Sequence, residues 1–415
     1  MNRSFLTERT ISRRHLVGLA GAAATVATVA ACTPPEQGGG GGPAANPDEV
    51  PEKPSAPVTI HILDVAGNLR MSQPMLDQFV KDHSDVVSEF TTETGGAPDL
   101  VGTLKPQVDS GNLQIELVFS GTDGMSAGLV DDLWVPVVKE FSDRLGNMQN
   151  YLEDAQESAE LAGDFGVMNA WTPSGPFIQY NPEHVPEVPK SAEEALAWAK
   201  ANTGKFGYPR PANSGVGRTW LQGLPYMLGD SDPLDPEAGW DNTWAYLADL
   251  GSAIANYPTG TGQAVQAMAD GTWWMMPMTF GWDMGPRSFG TAPLTLETAP
   301  LDNTTYVCDS QYALMPRGLS ADKQSAVLLF MNYMLQPEVN AAAFDEGYFY
   351  PGPAVQGATL EMAPQASQES VNKFRRDWYD DAIANTPVKV PLDPEPLIAA
   401  FDKWDRDIGA GKTQG

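Results

Sequence analysis

Apolar positions along the chain fall into short runs that switch between a period of two and a period near 3.6. Residues 58–63 form a β-branched run of strand length. Met71, Met75, Leu76, Phe79 and Val80 recur at helical spacing and predict a helix over 71–83. A second strand is expected over 85–91, a helix over 100–108 stopped by Gly111, and a third strand over 115–119. Strands alternating with helices argue for a parallel sheet with helices on its faces. Ser120-Gly121-Thr122-Asp123-Gly124 then follows the carboxyl end of a strand, where open α/β sheets place ligands.

A second set of elements begins near Trp171. Ser191-Ala192-Glu193-Glu194 is a capping box and predicts a helix to about residue 201. Helices are expected over 219–228, 241–250, 262–269, 321–335 and 397–407, and strands over 272–280 and 311–315. Gly281-Trp282-Asp283 is read as the loop that leaves the 272–280 strand. Trp273-Trp274-Met275-Met276-Pro277-Met278 offers thioethers, but a buried strand needs no metal to account for it.

The N-terminus departs from this pattern. Arg13-Arg14 precedes a mildly apolar stretch of small residues, 18–31, as in a twin-arginine (Tat) export signal over 1–31. Val29-Ala30-Ala31-Cys32 has the form of a lipobox, which makes Cys32 the expected lipidation site and the membrane anchor. Residues 33–57 carry five successive glycines and seven prolines with no periodicity, the composition of a flexible tether. The protein is therefore expected outside the cytoplasm, lipid-anchored in the periplasm or on the outer face of the cell membrane.

Composition narrows the function. Of 415 residues, 42% are hydrophobic and 19% charged, enough to bury a large core. Acids outnumber bases 53 to 25, a net charge of −28, which excludes a nucleic-acid partner that would need clustered Lys and Arg. Losing residues 1–31 removes four bases and one acid, so 21 bases against 52 acids leave −31. His61, His83 and His184 have no ligand spacing, and no nucleophile elbow, phosphate loop or paired-histidine helix is present. No metal, cofactor or catalytic residue is expected. A lipid-anchored hydrolase or adhesin is the alternative of a different class, but a hydrolase needs a positioned nucleophile–base pair that no motif supplies.

Several segments resemble a known family. Leu117-Val118-Phe119-Ser120-Gly121-Thr122-Asp123 resembles the third strand and ligand loop of the spermidine/putrescine-type solute-binding lipoproteins of bacterial ABC importers. Ala269-Asp270-Gly271-Thr272-Trp273, Gly281-Trp282-Asp283, Val307-Cys308-Asp309-Ser310 and Tyr350-Pro351 fall where those binders have matching turns, a tryptophan-bearing segment, Trp-x-Asp-Ser and a Gly-Tyr-Pro segment. The resemblance covers 58–360. It implies an α/β, two-lobed periplasmic-binding-protein-like (type II) fold with two crossing segments, near 171–177 and 306–310, and an inter-lobe ligand cleft. Lobe one would comprise 58–172 with 307–350, and lobe two 173–306 with 351–415. It also implies a monomer that hands a small polar solute to separate permease and ATPase subunits.

By the same resemblance Asp309 pairs with a ligand amine, Trp282 walls the cleft, Asp283, Thr122 and Asp123 contribute polar groups, and Trp171 closes the pocket. The chain departs from the pattern at 211–218, where those binders have acids and this sequence has none. Asn213 and Ser214 open a helix there and Arg218 follows, an arrangement suited to an anion, or simply a helix cap. Polyamine-like amines are the first expectation for cargo, then sugars or polyols, then phosphonates or other anions.

Overall fold

The computed structural model describes residues 47–413, so the export signal, Cys32 and the first part of the tether lie outside the described residues. The first strands are β1 (Val58–Asp64), β2 (Val87–Thr94), β3 (Leu117–Gly121), β4 (Gly166–Gly175) and β5 (Phe177–Tyr180). They are followed by β6 (Met275–Met278), β7 (Glu297–Ala299), β8 (Tyr306–Leu314) and β9 (Val388–Lys389). The larger sheet runs in the order β2-β1-β3-β8-β4, with β9 added to β8, and the smaller in the order β6-β5-β7. β1 is parallel to β2 and β3, as the strand–helix alternation predicts. β8 then returns antiparallel to both β3 and β4.

The larger sheet belongs to one core, and the smaller sheet packs a separate cluster on each of its faces. Ile60 and Ile62 of β1 meet Met71, Met75, Leu76 and Phe79 of the helix Leu69–Asp82, all fully buried in the first core. In the smaller sheet β6 divides its methionines between its faces. Met275 packs with Trp220, Leu247 and Trp404, while Met276 and Met278 pack with Phe177 and Phe280. The Trp-Met run is therefore structural core, as a buried strand requires.

Three features differ from the sequence expectation. The strand expected over 272–280 is only Met275–Met278, and Phe280–Ser288 is helical, so Trp282 and Asp283 stand on the first turn of a helix. An added Cβ on Gly281 would lie 1.9 Å from the Tyr348 carbonyl oxygen, so only glycine lets this helix lie against 348–349. The second feature is the tether. Residues 50–57 lie along the first half, with Pro54 buried and Ser55 bonded through N and Oγ to Asp322 (3.1 and 2.5 Å). Third, β4 and the helix Glu153–Leu161 form where no element is expected.

The halves are joined by paired strands. β4 leads directly into β5, and β8 runs beside it, with Trp171 opposite Ser310, Thr172 opposite Asp309 and Gly175 opposite Val307. The helix Pro394–Asp407 buries Leu397, Phe401 and Trp404 in the second core and also packs against the helix Thr122–Val130 of the first half. The halves also meet at Arg70. Its guanidinium lies 4.1 Å from the Phe289 ring and 5.0 Å from Tyr348, with Asp345 Oδ2 at 3.3 Å from Nε.

Asp283 is the polar hub of the second half. It is fully buried and accepts from Arg287 (2.5 Å), Arg376 (3.2 Å), Gln179 (3.2 Å) and the Tyr379 hydroxyl. Asp283→Ala leaves Arg287 without a carboxylate and Arg376 with Glu297 alone, and is expected to cost ~3–5 kcal/mol of unfolding free energy, read by denaturant titration. A loss under about 1 kcal/mol would show that the cluster contributes little.

Burial pushes the Asp345 carboxyl up to about 6, with Arg70 opposing only in part. A carboxyl raised in the folded state stabilises when protonated, so this contribution is complete below pH ~4 and lost as pH rises through about 6. Two units correspond to ~3 kcal/mol at most. The stability of Asp345→Asn relative to the parent should therefore rise between pH 4 and 7. A difference that is flat across that interval would remove Asp345 as the titrating group.

Candidate functional site

A cavity of about 240 Å³ lies between the two halves. Seven pieces of chain build its wall. Val65, Ala66 and Gly67 follow β1, while Gly121 and Asp123 open the 122–130 helix. Asn213, Ser214, Gly215 and Arg218 belong to the start of the helix Gly215–Met227, with Thr261 beside them. Asp309 and Gln311 come from the crossing strand β8, and Trp282, Tyr348 and Phe349 complete the aromatic side.

Arg218 holds the centre. Its Nη1 lies 2.9 Å from Asp123 Oδ2 and its Nη2 2.7 Å from Asp309 Oδ2. One guanidinium of the second half thus bridges a carboxylate of the first half and one of the crossing strand. The remaining carboxylate oxygens accept from backbone, Asp123 Oδ1 from Gly124 N and Asp309 Oδ1 from Ser310 N, both at 2.9 Å. Burial raises the Asp309 pKa, Arg218 opposes this, and Asp123 adds to it. Burial acts to lower the Arg218 pKa, but Asp309 and Asp123 outweigh it and the net shift is upward. Among the described residues these three are the only charged side chains on the wall, two carboxylates to one guanidinium.

The floor is made by glycine. A Cβ on Gly121 would lie 3.0 Å from Asp123 Oδ1, 3.7 Å from Gln311 Nε2 and 3.8 Å from Arg218 Nη2. Gln311 Oε1 accepts from Asn68 Nδ2 (3.3 Å), which also donates to Asn169 Oδ1 (3.1 Å). That leaves the Gln311 Nε2 amide directed at the cavity. Trp282, half-buried, stands 5.1 Å from the Tyr348 ring.

Six of the residues expected from sequence meet here: Asp123, Asn213, Ser214, Arg218, Trp282 and Asp309. Three do not line the cavity. Asp283 follows Trp282 by ~100° around the helix and so enters the interior, where the arginine cluster holds it. Trp171 sits in the first core, its indole N–H donating to Ser158 Oγ (3.1 Å). Thr122 is fully buried beside Asp123.

The 211–218 segment is not an open anion site. The Ser214 hydroxyl caps the helix by accepting from Gly217 N (3.2 Å) and pairs with Thr261 Oγ1 (2.5 Å). Arg210 is held by Asp405 (Nε to Oδ1, 2.8 Å), and Arg218 by its two carboxylates.

Gln311, Thr261, Tyr348 and the 65–67 loop were not anticipated. Gln311 had a usable signal, because two residues after Asp309 on one strand shares its face. Cys308, one residue before Asp309, faces the other way and is buried, its thiol pushed up to about 12 by burial.

No curated protein matches the chain by sequence. Solved structures do match. An ABC transporter protein from Clostridium perfringens ATCC 13124 superposes with TM-score 0.62 at 14% identity, over 85% of this chain and 99% of its own. The spermidine/putrescine ABC transporter substrate-binding protein PotD from Streptococcus pneumoniae gives 0.55 at 15%, over 84% and 99%. The periplasmic binding protein AfuA from Actinobacillus pleuropneumoniae, with fructose-6-phosphate bound, gives 0.61 at 15%, over 85% and 99%. At these identities the likeness shows the fold, which is the two-lobed periplasmic-binding-protein-like architecture. The model of one family covers 300 of the 415 residues, 74–373, and by that match the chain belongs to the bacterial extracellular solute-binding proteins.

Proposed function

We propose that this chain is the receptor of a bacterial ABC importer and that its cargo is a small amine-bearing solute, polyamine-like in chemistry. The observation that carries this reading is the convergence of Asp123 and Asp309 on one cavity against the rings of Trp282 and Tyr348, with a single Arg218 as counter-charge. Partly buried carboxylates form strong hydrogen bonds with ammonium groups, and aromatic faces attract cations. Cargo enters an open cleft, joins the two halves and shifts the equilibrium towards the closed form that a permease reads. The receptor acts as a monomer and carries no catalytic group; the permease and ATPase are separate subunits.

Sugars and polyols are the second reading. It rests on the Asn213, Thr261 and Gln311 polar groups beside an aromatic wall. A phosphonate or other anion fits less well, because both arginines of the 210–218 segment already have carboxylate partners. A hydrolase reading lacks its chemistry: among the described residues no histidine lines the cavity, and the Ser214 and Thr261 hydroxyls bond to each other.

Export through the Tat pathway and a lipid on Cys32 complete the proposal. Cys32→Ser should move the protein from the membrane to the soluble fraction of cells; retention at the membrane would refute the lipid anchor.

Calorimetric titration of the purified protein with amines, sugars, polyols and phosphonates tests the cargo. Amines are expected to bind, and Trp282→Ala should weaken them by ~1–3 kcal/mol while the unliganded melting midpoint stays nearly fixed, since the ring is only half-buried. Asp309→Asn should weaken them by a similar ~1–3 kcal/mol, the usual worth of a charged hydrogen bond. Binding of anions alone, or amine affinities untouched by both substitutions, would overturn this reading.

A further inference from the structure

The proposal concerns the charge of the cargo and rests on the amine-receptor reading above. Two carboxylates in one cavity would ordinarily recruit two positive charges from a ligand. Here the chain supplies one of them itself. Arg218 reaches both acids at once, at 2.9 and 2.7 Å, and is only 6% exposed. Among the described residues its charge has no other carboxylate partner, and no second base lines the wall.

Charges just behind the wall have compensation of their own. The Asp64 carboxylate accepts from the backbone N–H groups of Ala66, Asn68 and Leu69, at 2.8 to 3.0 Å, at the positive end of the 69–82 helix. Arg70 is matched by Asp345. The wall itself therefore sets two carboxylates against one guanidinium, and one ammonium balances them. A second ammonium would enter a site with no carboxylate left for it, beside the Arg218 guanidinium. Burying an uncompensated charge is costly, so the difference between one and two charges is amplified.

The other end of the cargo is set by Gln311. Asn68 occupies its carbonyl oxygen, and Nε2 faces the cavity without a partner among the described residues. An unmatched donor beside the carboxylates asks for an oxygen on the ligand. We propose that Arg218 is a built-in counter-cation that fixes the cargo as a singly charged amine, and that Gln311 requires this amine to carry a hydroxyl or carbonyl acceptor.

The test uses three ligands of one length: a four-carbon chain ended by two hydroxyls, by one hydroxyl and one ammonium, or by two ammoniums. Calorimetry at low salt gives the three dissociation constants for the intact protein. The mixed amino alcohol is expected to bind at least tenfold more tightly than either symmetric ligand. Arg218→Gln takes the wall from one negative charge to two and should move the preference to the diamine. Asp123→Asn takes it to zero and should move the preference towards the diol by at least tenfold. This second variant decides the matter if Arg218→Gln does not fold. Gln311→Leu should cut the affinity for the amino alcohol to that of the methyl-ended amine.

A parent protein that binds the diamine best overturns the inference and leaves the amine reading standing. The same holds if the ratios do not move in Asp123→Asn. If no ammonium ligand binds, the amine reading fails and the inference fails with it.

Discussion

The Asp123–Arg218–Asp309 bridge is the interaction on which the rest of the cleft depends. Its three members come from the start of one helix, the start of another and the middle of a crossing strand. None of these elements is near another in sequence. Each is positioned by a hydrophobic decision made elsewhere. The 122–130 helix is carried by β3 in the first core, the 215–227 helix buries Trp220, Leu221 and Leu224 in the second, and β8 is held on both sides by β3 and β4. The bridge is thus a readout of how two independently packed cores are set against each other. Displacing either core by an ångström or two would break at least one of its two contacts.

Much of this was legible in the sequence, and what was not has a physical cause. The helix at 69–82 announces itself because only one face is buried, which makes the 3.6 period visible. β4 is the opposite case. All ten of its residues are buried, because the strand passes between the two halves and is covered on both sides. With no exposed face there is no alternation to read, and its Gly, Asn and Pro residues weaken any propensity signal. The helix carrying Trp282 was hidden similarly, since Gly281 and Pro286 speak against helix, while tertiary contact with 348–349 demands the glycine.

Residues expected from sequence line the cavity where the local geometry of a single element decides which side chain faces it. Asp309 and Asp123 fall in that group. Errors arose between neighbours. Asp283 beside Trp282 and Thr122 beside Asp123 were grouped by adjacency, yet one step along a helix rotates a side chain by ~100°. Gln311 was missed for the complementary reason, since two steps along a strand return to the same face. The partner of Arg218 could not be read from spacing at all. That pairing joins positions 123, 218 and 309 and exists only once both cores have formed.

The short strap at 50–57 has a mechanical meaning. Ser55 is stitched to Asp322, Lys53 to Asp85 and the Glu52 carbonyl to Arg144, all on the side of the larger sheet. A pull delivered through the N-terminus therefore loads that half alone and bypasses the paired crossing strands. In the open–closed cycle proposed above, the larger half would be the stationary frame and the smaller half the moving jaw. Opening would then draw Arg218 away from Asp123, so the charge that cargo meets at the mouth would differ from the charge it meets once enclosed.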